Sequence, residues 1–268
     1  MVATLRARIV TGERAVTAEG GFNPSWQRHT AEYKLAEPFL PDGRIVDVGC
    51  GVGHGARFLE PRESIGVDID PQVLAGQHRP TVVADMRALP FPAGSFDGAI
   101  SVHAIEHVPD PERAIAELHR VLRPGGVACV WTPNRLTFGV PDEIIDPYHY
   151  VEFSPEEFRS LALAAFERVD LYGLFASDRY MEIHNSEREQ LHRLLARDPL
   201  RLRRLIPRRL RQLLYDLQLT RSRAVPHPNA EAITVDDFFL RDDNLDKCLD
   251  VLAVCHAGEA RTANGGMR

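Results

Sequence analysis

Four glycines at alternate positions, in Gly49-Cys50-Gly51-Val52-Gly53-His54-Gly55, follow directly on the apolar run Ile45-Val46-Asp47-Val48. The short apolar run predicts a buried strand, and the glycines predict an abrupt change of backbone direction. Ala56-Arg57-Phe58-Leu59 then resumes a helical pattern, so the segment predicts strand, glycine loop, helix. Glycine carries no side chain to block approach, so the backbone N–H groups of such a loop, with the positive end of a following helix, face a polar or anionic ligand. Gly51-Val52-Gly53-His54-Gly55-Ala56 also satisfies the dinucleotide pattern of a dehydrogenase, so the glycines alone leave the ligand open.

Further apolar runs recur at Ser64 to Val67, Thr81 to Ala84, Phe96 to Val102 and Gly126 to Thr132, with room for helices between them. Alternating strands and helices imply a parallel sheet with right-handed crossovers. Asp110-Pro111 opens a helix whose apolar face is Ile115, Leu118, Val121 and Leu122. Ser154-Pro155-Glu156-Glu157 is a capping box, followed by a strand over Arg168 to Leu174. Ser25 to Leu40 reads as a lead-in helix ending at Pro41-Asp42-Gly43, and Asp250 to Cys255 as the last strand. The expected fold is α/β and doubly wound within a single domain, 1–268: a core over 40–175, a last strand within 248–256, and a helical arginine-rich insert over 176–247.

Residues 188–223 hold eleven arginines against Glu189, Asp198 and Asp216, a local charge of +8 within a chain of −6. Leucines interleave with them at helical spacing, so two amphipathic helices broken at Pro199 and Pro207 are expected. Three readings stand for this insert: a solvated helical face, which the leucine spacing favours, a docking surface for anionic lipid or a long anionic glycan, or a dimer element. The net charge excludes a wholly basic nucleic-acid coat protein. The four cysteines show neither zinc-site spacing nor the density of a secreted scaffold, which makes a reduced, cytoplasmic setting the expectation. No stretch reaches about 18 consecutive apolar residues, and the early arginines precede no apolar signal region. The tail His256 to Arg268 is expected to be disordered.

Three carboxylates mark successive strand tips. Asp47, inside the first strand, suits the cationic amino group of an amino acid and would repel a pyrophosphate. Asp68 ends the second strand, where a carboxylate accepts from a ribose diol. Asp85 ends the third, placed to accept from an adenine amine beside Met86. Amino acid, ribose and adenine together describe S-adenosylmethionine. Val46-Asp47-Val48-Gly49-Cys50-Gly51-Val52-Gly53, Gly66-Val67-Asp68-Ile69-Asp70, Ala84-Asp85 and Arg123-Pro124-Gly125-Gly126 resemble, in order, the motifs of class I S-adenosylmethionine-dependent methyltransferases. The resemblance covers roughly residues 40–175 and implies a seven-stranded sheet with an antiparallel last strand. It also implies cofactor contacts from Asp47, Gly49, Cys50, Gly51, Gly53, Asp68, Ile69, Asp85, Met86 and His103.

Methyl transfer from a sulfonium is an in-line displacement, so the protein positions the acceptor and removes its proton. An Asn-Pro-Pro-Tyr tetrapeptide and a Pro-Cys nucleophile are both absent, which disfavours nucleic-acid bases as acceptors. Glu106-His107-Val108, Thr132-Pro133-Asn134-Arg135 and Pro147-Tyr148-His149 resemble ubiquinone-biosynthesis and sugar O-methyltransferases. That resemblance implies a small-molecule or glycan hydroxyl as acceptor and a divalent cation such as Mg²⁺ at Glu106 and His107. His103 stands where the first carboxylate of that site is expected, which makes the donor set softer than Mg²⁺ prefers. The alternative role for Glu106 and His107 is to hold the neighbouring loop. His149 is the candidate base, with His107 and Glu106 as the other catalytic candidates. A homodimer is a further expectation. C- or N-methylation of a metabolite, a nicotinamide dehydrogenase and a non-catalytic binding module are the alternatives.

Overall fold

Short apolar runs, separated by helices or by shorter turns and loops, produce the sheet. The computed structural model describes residues 23–138, 143–196, 198, 205–222 and 229–259. Its strands are β1 (Arg44–Val48), β2 (Glu63–Asp68), β3 (Thr81–Val83), β4 (Phe96–Val102), β5 (Leu122–Pro133), β6 (Arg168–Ala176), β7 (Phe238–Arg241) and β8 (Asp250–His256). They order as β3-β2-β1-β4-β5-β8-β6-β7. The first five pair in parallel, and β8 runs antiparallel between β5 and β6, the arrangement expected of the last strand.

The count of seven is corrected to eight. β7 pairs antiparallel with β6 at the sheet edge, inside the stretch expected to be helical. Phe238-Phe239-Leu240-Arg241 alternates buried and accessible positions, with Phe238 buried and Phe239 exposed, as an edge strand does.

Helices cover both faces. They are α1 (Asn23–Ala36), α2 (Pro71–Leu74), α3 (Pro111–Val121), α4 (Arg135–Phe138), α5 (Pro155–Leu163), α6 (Asp178–Leu195) and α7 (Arg208–Ser222). Along β1, Val46 and Val48 join a core with Ile115, Leu118 and Phe158 from α3 and α5. Ile45 joins the opposite core with Tyr33 of α1, Trp131, Leu252 and Tyr180. The expected caps form: Asp110 accepts from the Arg113 N–H, and Ser154 and Glu157 cap reciprocally.

Two expectations change. After the glycine loop the chain makes only a 3₁₀ turn, Ala56–Phe58, because Pro61 lacks the N–H and the steric freedom to continue a helix. The loop's pull on a ligand therefore comes from its own N–H groups rather than from a long helix dipole. The leucines of α7 face outward rather than into a core: Leu210, Leu213, Leu214 and Leu217 are all exposed. Pro207 immediately precedes α7, as expected of a breaker, whereas Pro199, the N-terminal 22 residues and residues 260–268 lie outside the described residues. No described helix is long and apolar enough to cross a membrane.

Candidate functional site

The chain reverses its direction of winding between β1 and β4, and ligands of doubly wound sheets bind in the crevice beyond that point. The glycine loop leaves β1 there. Gly49, Gly51 and Gly53 have φ of 75°, 53° and 77°, values that side chains rarely tolerate. A Cβ on Gly49 would lie 2.4 Å from Ala104 Cβ, so the turn after β4 packs against the loop only because that atom is missing. A Cβ on Gly51 would meet nothing within 4 Å, which leaves an open cradle above the loop.

Asp68 fixes this cradle. Its Oδ2 accepts from the Gly51 N–H at 2.9 Å and its Oδ1 from the Asp70 N–H at 2.9 Å, leaving each oxygen one further lone pair. Ile69, next in sequence, is 67% exposed and offers an apolar wall. An open, N–H-rich cradle beside an anchored carboxylate and an apolar side chain fits a nucleoside of the expected kind. Cys50 is buried, and burial pushes its thiol up to about 12, so it is a packing residue rather than a nucleophile.

Asp47 is buried beneath the loop, with its oxygens on Tyr33 Oη at 2.9 Å and Arg79 Nη2 at 2.6 Å. Asp47 is thus held by protein partners, Arg79 supplying the cation that the sequence left to a ligand. Asp85 pairs with Arg87 at 2.6 Å and is accessible, while the neighbouring Met86 is buried. Trp26, Tyr33 and His54 cluster over the loop, their rings 4.9 and 5.4 Å from that of His54. Burial pulls His54 down to about 4, so it stays neutral.

His103 adopts φ 50° directly after β4. Its Nε2 lies 2.7 Å from Glu32 Oε1, its Nδ1 is 3.3 Å from Glu106 Oε1, and its ring stacks on His29 at 4.4 Å. Asp250, at the start of β8, lies 3.6 Å away and is forked by Arg28. Burial opposes the charged imidazole, but Glu32 and Asp250 override it and raise His103 well above its ordinary value. His103 thus sits inside a buried network joining α1, β4 and β8. Glu32 and Asp250 escaped the sequence reading, which offered Arg28 only as part of a lid over the cofactor. The available signal was charge at positions 28 and 32, one turn apart on a helix whose Tyr33 and Ala36 are core.

The other candidates meet where the turn after β4, which carries Glu106 and His107, faces the loop after β5, which carries His149. Glu106, His107 and His149 place donor atoms within 4.8 Å of one another. Tyr150 N–H donates to the Glu106 carbonyl at 2.8 Å, which seats the loop carrying His149. His149 Nδ1 lies 2.9 Å from Glu152 Oε1, and both residues are buried. Burial opposes protonation of His149, yet Glu152, Asp146 and Glu106 raise it above its ordinary value. Glu152 was also missed, although an acid three residues beyond a histidine is a recognisable orienting spacing. The triple holds two imidazoles and one carboxylate, and the neighbouring His103, which bridges Glu32 and Glu106, adds another imidazole rather than an oxygen donor. This is not the oxygen-rich set that Mg²⁺ takes, so Mg²⁺ does not fit these residues.

The methyltransferase domain family matches residues 46–130, which run from β1 into β5. A probable S-adenosylmethionine-dependent methyltransferase of Mycolicibacterium smegmatis is 34% identical over 175 residues, 62% of this chain and 68% of that protein. A 2-methyl-6-phytyl-1,4-hydroquinone methyltransferase of Oryza sativa subsp. japonica is 32% identical over 139 residues, 48% of this chain and 40% of that protein. Among solved structures, an S-adenosylmethionine-dependent methyltransferase of Thermotoga maritima, titled a possible histamine N-methyltransferase, is similar with a TM-score of 0.51 and 27% identity. It covers 58% of this chain and 79% of its own.

Proposed function

Since the chain belongs to the class I S-adenosylmethionine-dependent methyltransferases, we propose that it methylates a hydroxyl of a small molecule or saccharide, with His149 as proton acceptor. The observation that carries this reading is the buried His149–Glu152 pair on the loop after β5. A carboxylate on Nδ1 fixes the tautomer, so Nε2 is the ring nitrogen left to take a proton.

The cofactor, when bound, supplies an electrophilic methyl on a sulfonium. Gly49, Gly51 and Gly53 hold the loop open, Asp68 presents its remaining lone pairs to the ribose, and Ile69 and Met86 supply apolar contact. Asp85 accepts from the adenine amine, and Asp47 with Arg79 braces the loop from below. With the methyl group so supplied to the acceptor oxygen in place of its proton, His149 Nε2 would take that hydroxyl proton. The products are a methyl ether and the neutral thioether nucleoside. Glu106 and His107 line the same loop and hold its orientation.

A second reading follows from the hydroquinone methyltransferase relative: the same base would take a phenolic proton while a ring carbon receives the methyl. Incubation with methyl-labelled S-adenosylmethionine and fractionated extract tests both. Label in a small molecule or glycan that hydriodic acid releases as methyl iodide supports the ether. Label that resists this treatment supports the ring carbon, and label in protein or nucleic acid overturns both. Micromolar binding of NAD without binding of S-adenosylmethionine would overturn the cofactor roles of these residues.

A further inference from the structure

Helix α7 is amphipathic in the inverted sense. Its inner side is polar: Arg208 donates from Nε to the Pro147 carbonyl at 2.8 Å and from Nη2 to the Tyr148 carbonyl at 3.1 Å, and its guanidinium lies 3.7 Å from the Tyr150 ring centroid. Gln212 reaches the Pro147 carbonyl, and Asp216, itself buried, accepts from Tyr148 Oη at 2.6 Å. Its outer side carries Leu210, Leu213, Leu214 and Leu217, at the spacing i, i+3, i+4, i+7 that forms one helical stripe. All four are exposed, as is Arg209 beside them, and Leu205 just before the helix is 81% exposed. A soluble helix normally buries such a stripe, and a contiguous apolar face left in water marks a partner.

We propose that α7 is an interfacial helix that docks this protein on an anionic lipid bilayer. Charge selects that occupant. Residues 188–223 carry +8 in a chain of net −6, so the leucine stripe lies in the most basic stretch of the sequence. A second copy meeting this face would oppose one basic stretch with another, whereas acidic headgroups complement it. A nucleic acid or soluble glycan would satisfy the arginines but give the leucines nothing to enter. A leucine face bordered by arginine is the composition of helices that lie in the plane of a membrane surface. The bilayer would then sit one helix diameter from the loop that carries His149, because α7 grips that loop with its inner side.

Sedimentation with vesicles tests this, using phosphatidylcholine alone and phosphatidylcholine with an equal part of phosphatidylglycerol. The wild-type protein is expected to pellet with the anionic vesicles only, less so as salt rises. The variant L210Q/L213Q/L214Q/L217Q is expected to lose at least about tenfold in partitioning while keeping its circular dichroism and Tm, since the replaced side chains touch solvent. Should that variant fail to fold, Leu213→Cys carries the test. The four native cysteines are buried, so an environment-sensitive dye goes to position 213, and a blue shift on anionic vesicles is expected. No pelleting of the wild type, equal pelleting of the leucine variant, or unchanged dye emission would overturn the proposal. So would a wild-type dimer that the leucine variant turns into monomer, or binding to heparin with none to vesicles.

Discussion

The Arg28 guanidinium forks onto the Asp250 carboxylate and ties α1, the first described helix, to the start of β8, with the Asp250 side chain wholly buried. The two positions are 222 residues apart, so the contact fastens α1, which roofs the glycine loop, to the last strand of the sheet. Arg28→Met removes the one guanidinium on this buried carboxylate and leaves it to His103 and a hydrogen bond from Glu32. Loss of one partner of such a pair costs about 3–5 kcal/mol, and urea unfolding of the variant should show it.

The same pair sets an acid limit. Burial works against the Asp250 charge, but Arg28 and His103 prevail and hold it below the ordinary carboxylate range. A depressed folded value means stability that is present above the unfolded value near 3.9 and lost as pH falls through the folded one. Asp250→Asn should therefore flatten the fall of Tm between roughly pH 4 and the acid end of the titration.

His149 predicts a second pH dependence, in activity, which also rises with pH although its pKa shift is upward rather than downward. Its raised value means that the neutral, proton-accepting form gains population as pH rises through a point above the ordinary 6.5. kcat/KM should climb through that point, and Glu152→Gln, which keeps an acceptor near Nδ1 but removes its negative charge, should move the climb to lower pH. His149→Ala should lower kcat by about 10²–10⁴ with little change in cofactor affinity. Turnover within threefold of wild type would remove His149 from the proposed chemistry. The donor set at Glu106, His107 and His149 further predicts that added Mg²⁺ leaves chelator-treated protein unchanged.

Local signals made much of this fold legible. The apolar runs at 45–48, 96–102 and 250–255 became strands, and the Asp110 and Ser154 caps opened helices where expected. These features depend on a few adjacent residues. β7 escaped because a four-residue edge strand carries little pattern of its own. The α7 leucines misled because periodicity reports that a stripe exists, not which way it faces; only the contacts of Arg208, Gln212 and Asp216 orient it. At the site, the loop and the three strand-tip acids were visible as motifs. Their partners Tyr33, Arg79 and Arg87 were not read as such. His103 was read toward the cofactor, but residues distant in sequence, Glu32 and Asp250, fold beside it.

Two neighbouring glycines separate fold from binding. At Gly49 a side chain would meet Ala104 Cβ at 2.4 Å and keep an unfavourable φ of 75°, so Gly49→Ala should cost about 2–4 kcal/mol from strain and overpacking. At Gly51 the φ of 53° falls in the left-handed region but no atom lies within 4 Å of the new Cβ. Gly51→Ala should cost only about 1 kcal/mol in urea unfolding, yet its methyl enters the cradle where the nucleoside would lie. Calorimetric titration with S-adenosylmethionine should then show an affinity loss of at least about tenfold, or roughly 1.4 kcal/mol, for this variant. Undiminished affinity in Gly51→Ala would move the ligand away from the loop and leave the glycines as a turn alone.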